Sequence, residues 1–446
     1  MGHESQDLIE KILPGDKGKG GRNRYHQVNE TSQKNVNYDM STAWLIATGL
    51  SLGSVLWVEL VRDSYHALAH VCPPLYRLHA WHHRVFRPDL SVVSREIYQK
   101  AHWYNDVPES LVMLSFGLLL PLLMVWWQGS WSLALAASLG VFYTLSFLGA
   151  AIARGLGVAN ADQLTDLTHR PGPFLAPPTP WRVNRTYHWR HHFDSQNAYF
   201  CGTLTLVDKL LGTALALKGK KIAITGASGS LGRALLAELH RHGAKVIALT
   251  SGDRPLAVTV NGERVAVRTE QWAVGQEQQL QALLADIDIL VINHGVNVHQ
   301  RREAIAIEQA YEVNAFSAWR LLELFLQTVQ TNKDVATKEV WINTSEAEVN
   351  PAFSPLYELS KRTLGDLVTL RRLDAPCVIR KLILGPFKSK LNPVGILSAP
   401  WVAQKIVKAA QRDSRNIIVT PNPLTWINFP VKEWMVSNYY RLFTRR

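Results

Sequence analysis

The chain has 446 residues, length enough for two or three domains, and its formal charge of +12 is spread along the sequence without a long basic block. Nucleic acid is one reading of such a charge; a membrane protein with basic edges is the better one, because apolar segments are present, and no nucleic-acid partner is expected. Three cysteines, Cys72, Cys201 and Cys377, lie far apart, which argues against a disulfide framework and suits a reducing compartment.

Residues 1–40 are polar and charged, carry no visible secretory signal, and are expected to form a flexible or lightly packed tail. Thr42 to Val61 is nearly all apolar and long enough to span a bilayer. Leu111 to Trp127 and Trp131 to Ala153 are two further apolar stretches, split by Gln128-Gly129-Ser130, and read as a helical hairpin in the membrane. Buried core helices of a soluble protein are the alternative. Several of the fifteen Trp flank these runs, as interfacial Trp does.

Ten of the sixteen histidines fall between Asp63 and His192. They form the clusters His66/His70, His79/His82/His83 and His188/His191/His192, with His102 and His169 between them. Spacings of three and four residues place side chains on one helix face, one turn apart. The hairpin leaves and re-enters on one side, so all three clusters are expected on the same face. Imidazole binds several metals and does not name one. So many histidines without Cys fit a two-metal centre better than a four-ligand zinc site. A stretch rich in proline, Pro171 to Pro180, reads as a loop before the last cluster.

The pattern HxxxH, HxxHH, HxxHH around a membrane hairpin resembles the fatty acid hydroxylase/sterol desaturase superfamily of integral-membrane di-iron oxygenases. The run Asp208-Lys209-Leu210-Leu211-Gly212-Thr213 is similar to the stretch that follows the last His box there. The resemblance covers roughly residues 40–217. It implies an all-α membrane domain with two non-haem irons held by His66, His70, His79, His82, His83, His169, His188, His191 and His192. Thr165 stands where many members carry another His, so that pair is incomplete. His102 is open between a tenth ligand and an interfacial residue. Asp63 is open between orienting a ligand imidazole and capping a helix. The implied chemistry is O₂-dependent attack on a C–H bond of a lipid, with electrons from an external donor.

Near Leu217-Lys218 the composition changes. From Lys221 onward, short β-rich runs alternate with helical patterns, as in a doubly wound parallel sheet. The expected organisation is therefore a tail over residues 1–40, a membrane domain over 41–217 and a Rossmann-type α/β domain over 218–446. The run KIAITGASGSLG carries Gly226, Ser228, Gly229 and Gly232 between a strand and a helix. Glycines there let backbone N–H groups approach a pyrophosphate at a helix N-terminus. Asn293 and Gly295 follow a later strand, Asn314 opens a helix, Ser345 ends a strand, and Tyr357 and Lys361 lie one helical turn apart. A Lys beside a Tyr is expected to lower its pKa and ready it for proton transfer.

This set resembles the short-chain dehydrogenase/reductase superfamily over about residues 220–425. The resemblance implies that Tyr357 is the acid/base, that Lys361 supports it and the ribose, and that Ser345 orients a carbonyl. Asn314 would support a relay water, and Thr344 competes for the Ser345 role. Gly226, Ser228, Gly229, Gly232, Asn293, Gly295, Tyr357 and Lys361 would bind the dinucleotide. Thr250-Ser251 with nearby Arg254 leans toward NADP over NAD, a lean that Asp253 moderates. The aromatic, basic C-terminal segment from Thr425 is open between a membrane-surface helix and packing on the reductase core.

The sequence thus reads as a bifunctional membrane oxidoreductase. An O₂-dependent di-iron half would hydroxylate or desaturate a lipid, and the fused reductase would interconvert alcohol and carbonyl, both on the cytoplasmic face. Long-chain aldehyde processing, as in plant wax-synthesis proteins, is one alternative. A reductase-like half that only binds dinucleotide and regulates the membrane half is another.

Overall fold

The computed structural model describes residues 21–161, 168–389, 392 and 394–445, with side chains from residue 41 onward. Residues 1–20 of the expected tail, and Thr165, lie outside the described residues. The chain folds as two compact units, Met1–Val58 with Leu114–Thr144, and Glu59–Met113 with Leu145–Arg446.

The first half of the chain is helical: α1 (Gly21–Val71), α2 (Pro73–His83), α3 (Arg95–Ala101), a π-helical turn (His102–Asp106), α4 (Val107–Gln128), α5 (Trp131–Ala137), α6 (Leu139–Gly155), α7 (Arg185–Phe193) and α8 (Leu206–Leu211). Residues 21–40 are thus helical where a loose tail was expected. That segment lacks proline and extends a long apolar helix, and propagation adds one backbone bond per residue without a new nucleus. Ser41–Val71 and Arg95–Gln128 are long and apolar enough to cross a membrane, and Trp131–Ala137 with Leu139–Gly155 forms a third candidate bent by 40°. In the smaller unit the Gly140 amide donates to Ser54 Oγ at 2.9 Å, and a Cβ at Gly140 would strike the Ser54 carbonyl at 2.4 Å. Close helix approach there requires glycine.

The larger unit contains an eight-stranded sheet of order β3-β4-β2-β1-β5-β6-β7-β8. Its strands are β1 (Lys221–Thr225), β2 (Lys245–Thr250), β3 (Leu256–Val260), β4 (Glu263–Gln271), β5 (Ile289–Ile292), β6 (Glu339–Asn343), β7 (Val378–Leu384) and β8 (Asn416–Val419). Only β3 runs antiparallel to its neighbour. The helices are α9 (Ser230–Arg241), α10 (Gln281–Asp286), α11 (Ala304–Tyr311), a π-helical turn (Glu312–Phe316), α12 (Ser317–Gln327), α13 (Asn332–Thr337), α14 (Pro355–Arg371), α15 (Ala399–Gln411) and α16 (Pro423–Phe443). Leu235, Leu239, Val402 and Ile406 of α9 and α15 pack on one face of the sheet. Leu321, Phe325, Leu364 and Val368 of α12 and α14 pack on the other. The Rossmann-type parallel sheet is present as expected, and the strand order reverses between β1 and β5, where such folds bind ligands.

The helix that carries the last histidine cluster lies against this sheet. Seven of the nine α7 residues are buried, although its sequence RTYHWRHHF has no apolar stripe. Arg190 donates to the Ala336 carbonyl of α13 and pairs with Glu339 of β6 at 3.3 Å. Arg380 of β7 holds the same carboxylate in a fork at 2.8 and 2.9 Å. Burial raises the Glu339 pKa, but the Arg380 and Arg190 guanidinium groups outweigh it and hold the carboxyl down at about 2. A second buried carboxylate, Asp208, accepts from Tyr187 Oη at 2.9 Å and from the Phe200 and Cys201 amides, tying α8 to α7 and the following loop.

Candidate active sites: a histidine centre and a reductase site

Nine histidines converge in two groups. His66, His70, His79, His83 and His191 form one, and His82, His169, His188 and His192 the other, each with its ligand atoms within 4.8 Å of one another. The helical spacing explains the split: α2 gives His79 and His83 to one group and His82 to the other, and α7 gives His191 to one and His188 and His192 to the other. In the first group Nε2 of His66 lies 2.9 Å from Nε2 of His191, and Nε2 of His79 lies 2.9 Å from Nε2 of His83. In the second, His188 Nε2 lies 2.9 Å from His169 Nε2 and 3.1 Å from His192 Nε2.

The proton positions decide what these contacts mean. His191 Nδ1 lies 2.9 Å from the Ala198 carbonyl, which only accepts, so the proton sits on Nδ1 and Nε2 is a lone pair. His79 Nδ1 faces Asn105 Oδ1 at 2.7 Å, and the Asn105 amide is fixed by donating to Asp106 Oδ1 at 2.8 Å. His79 Nε2 is therefore a lone pair as well. Burial lowers the pKa of His79, His82, His83, His191 and His192, and neighbouring imidazoles lower His82, His83 and His192 further. Buried neutral imidazoles that aim lone pairs at a shared point fit metal ions.

Two residues take other places than the sequence suggested. His102 lies outside both groups. It is buried, its Nδ1 is bonded to Asp106, and it ends a chain His79–Asn105–Asp106–His102. The π-helical turn aligns that chain. Asp63 sits inside α1, where it accepts from the Gly202 amide at 3.0 Å and lies 3.5 Å from Arg62. Its Oδ1 is thus used by the Gly202 amide and Arg62, and it caps no helix. Asn105 was not singled out from the sequence, and its polar run HWYND beside the second His cluster was the available signal.

The reductase site is built around the C-terminal ends of β1, β5 and β6. Gly226 follows β1 at φ +63°, and a Cβ there would meet His294 Cα at 2.9 Å. A Cβ on Gly232 would lie 2.3 Å from the Gly226 carbonyl. Gly229 precedes α9 with no side chain capping its first turn, so the N-terminal amides are open to an anion. Ser228 Oγ accepts from Thr250 Oγ1 at 3.3 Å, joining the loop to the end of β2. Asn293 accepts from Asn343 at 3.1 Å, and a Cβ on Gly295 would crowd Asn314 Oδ1 at 3.0 Å.

Tyr357 and Lys361 lie on α14. The Lys361 ammonium is 2% exposed, donates to the Asn343 carbonyl at 2.9 Å and sits 5.9 Å from the Tyr357 ring centre. Burial brings Lys361 down to about 8. Burial also raises the Tyr357 phenol, against the hydrogen bond from Ser345. The lowering of Tyr357 expected from Lys361 is therefore not found: burial dominates, and the group that opposes it is Ser345. Ser345 holds φ +67°, a strained conformation for a residue with a Cβ, and its side chain reaches Tyr357. Thr344 is fully buried, and its hydroxyl has no hydrogen-bond partner among the described residues. Asn314, on the second π-helical turn, bonds both the amide and the carbonyl of Val296 at 2.8 and 2.9 Å, and Ser360 at 3.1 Å. Its side chain therefore staples the Gly295 segment to α14 and leaves no amide hydrogen for a relay water.

The short chain dehydrogenase family matches residues 220–375. A ketoacyl reductase of Nostoc sp. (strain PCC 7120) is 24% identical over 235 residues, covering 47% of this chain and 81% of that protein. A short chain dehydrogenase from Burkholderia cenocepacia J2315, solved in complex with NADP, is 17% identical with a TM-score of 0.40, covering 52% of this chain and all of that one. A monoglucosyldiacylglycerol epimerase of Synechocystis sp. (strain PCC 6803) is 72% identical over 409 residues, covering 91% of this chain and 100% of the relative. The chain carries a C-terminal short-chain dehydrogenase domain and belongs to the family of the Synechocystis monoglucosyldiacylglycerol epimerase.

Proposed function

We propose that the reductase half epimerises the sugar headgroup of a glucosyl diacylglycerol, using NADP. The 72% identity to an epimerase matched along its whole length carries this reading. A bound nicotinamide dinucleotide supplies reversible hydride transfer. Tyr357 takes the proton of a secondary sugar hydroxyl as its carbon is oxidised, and returns it when the ketone is reduced from the opposite face. Ser345 donates to the sugar oxygen in both directions, and the Asn343 carbonyl holds buried Lys361 near the Tyr357 ring. The open amides at the start of α9 suit the pyrophosphate, and the exposed Arg254 after β2 favours NADP. Epimerisation leaves the oxidation level of the lipid unchanged, so it consumes neither O₂ nor external electrons.

The test is turnover of glucosyl diacylglycerol in vesicles by the reconstituted chain, with sugar analysis of the product. Tyr357→Phe is expected to lower the rate by about 10²–10⁴-fold. Equal turnover by the variant, or no epimer from the parent chain, would sink the reading.

A second activity is favoured by the two histidine groups. His66, His70, His79, His83 and His191 would hold one non-haem iron, and His82, His169, His188 and His192 another. Such a pair supplies O₂ activation for lipid hydroxylation or desaturation when an external donor provides electrons. The histidines would hold the site, and Asn105 and the Ala198 carbonyl fix two ring tautomers. Two irons per purified chain and an ¹⁸O-labelled or desaturated lipid from cells grown under ¹⁸O₂ are expected. Metal-free protein with full epimerase activity would remove this second reading and leave the first intact.

A further inference from the structure

The helix α16 is amphipathic in an inverted sense. The charged side chains of its middle turns, Lys432 and Glu433, face the protein. Lys432 pairs with Glu348 at 2.7 Å and Asp366 at 2.6 Å, while Glu433 pairs with Lys381 at 2.8 Å and Arg372 at 2.9 Å. Phe429 is fully buried beside them. The outward stripe is apolar: Leu424 is 56% exposed, Ile427 63%, Trp434 68% and Leu442 78%. Rotating the helix to hide that stripe would break every one of these ion pairs.

We propose that α16 lies flat on the lipid bilayer and holds the reductase site at the membrane surface. Three observations favour lipid over a protein partner. The same chain has two helices long and apolar enough to cross a membrane, so a bilayer is at hand. The stripe and its borders carry Trp426, Trp434 and Tyr439, ring types that settle at the headgroup level. Exposed Arg441 and Arg445 follow at its end, as suits a surface with anionic lipids. The ionic inner face excludes a spanning orientation.

The attachment is tied to the chemistry. Glu346, next to Ser345, accepts from Thr425 Oγ1 at 3.0 Å, and Asn350 donates to the same hydroxyl at 2.7 Å. The loop from Ser345 to Tyr357 is thus fastened to the first turn of α16. Phe353 in that loop is 96% exposed at φ +55°, a second apolar side chain offered outward at a strained position. A substrate whose sugar stands on a diacylglycerol would then be met at the surface where it resides. That last step rests on the epimerase reading; the docking does not.

The test uses the full chain in vesicles of phosphatidylcholine with phosphatidylglycerol, spin-labelled at Ile427→Cys or Trp434→Cys. Asn261→Cys, on the β3–β4 turn, is the aqueous control, and the labelled parent chain gives the background from Cys72. Collisions with oxygen are expected to exceed those with a water-soluble nickel complex at 427 and 434, and to fall below them at 261. Nickel access at 427 and 434 equal to that at 261 would overturn the proposal. So would exclusion of both reagents in detergent as well as lipid with a dimer in sedimentation, which would put a second copy on the stripe. The double variant Ile427→Glu/Trp434→Glu is expected to raise KM for vesicle-borne glucosyl lipid about tenfold, with kcat on a detergent-dispersed short-chain analogue unchanged. If the epimerase reading fails, the parent turns over neither substrate while the spin-label result stands.

Discussion

Helices α7 and α16 invert the ordinary rule in opposite directions. The first is rich in His and Arg and is buried along most of its length; the second is rich in Trp, Leu and Ile and is exposed along one face. Composition alone would exchange their places. What separates them is partners. Every charge on the inner side of α7 finds a counter-charge or carbonyl on β6 and α13, and its imidazoles face other imidazoles. On α16 the charges are satisfied inward, so the apolar face is left for a different solvent. Burial follows satisfied polarity as much as hydrophobicity.

The comparison breaks most severely at Glu339. Glu339→Leu leaves the Arg190 guanidinium without its carboxylate inside the contact, and a loss of about 3–5 kcal/mol is expected in thermal unfolding of the detergent-solubilised chain. A gentler probe is acid. The folded carboxyl sits at about 2, below its unfolded value, so its stabilisation is complete above the unfolded value and is lost as pH falls toward 2. Melting temperature should therefore drop between roughly pH 4.3 and 2, and part of that drop should be absent in Glu339→Gln. The smallest effect belongs to α16: Ile427→Glu should change stability in detergent by no more than about 0.5 kcal/mol, because nothing in the protein covers that side chain. A large loss there would mean the stripe has a protein partner.

Much of this was legible in the sequence where chemistry repeats at a short spacing. The nine histidines and the Tyr357/Lys361 pair stand out because i, i+3 and i+4 neighbours share a helix face, and the alternating β-rich runs gave the doubly wound sheet. The i, i+4 pairs His79/His83 and His188/His192 follow from spacing, but which histidines of different helices join in one group was not legible, because that is set only when α2 meets α1 and α7. Asn105 and the Ala198 carbonyl were hidden for the same reason: orienting groups come from segments with no periodic signal. Arg190, set between His188 and His191, carried no mark of its pairing with a residue about 150 positions later. Of the two orientations left open for α16, packing on the reductase core is present on its charged face, and the membrane-surface one is the proposal made for its apolar face.

The contact between Arg190 and Glu339 also bears on where this polypeptide could be cut. A linker joining independent enzymes tolerates scission, since each part keeps its own interior. Here a fragment beginning at Lys218 would leave Glu339 without one of its two guanidinium partners and the Ala336 carbonyl without Arg190, and a fragment ending before it would expose the Arg190 face of α7. Two genes encoding the parts would have to be translated together and fold upon each other, so covalent continuity serves assembly as well as proximity.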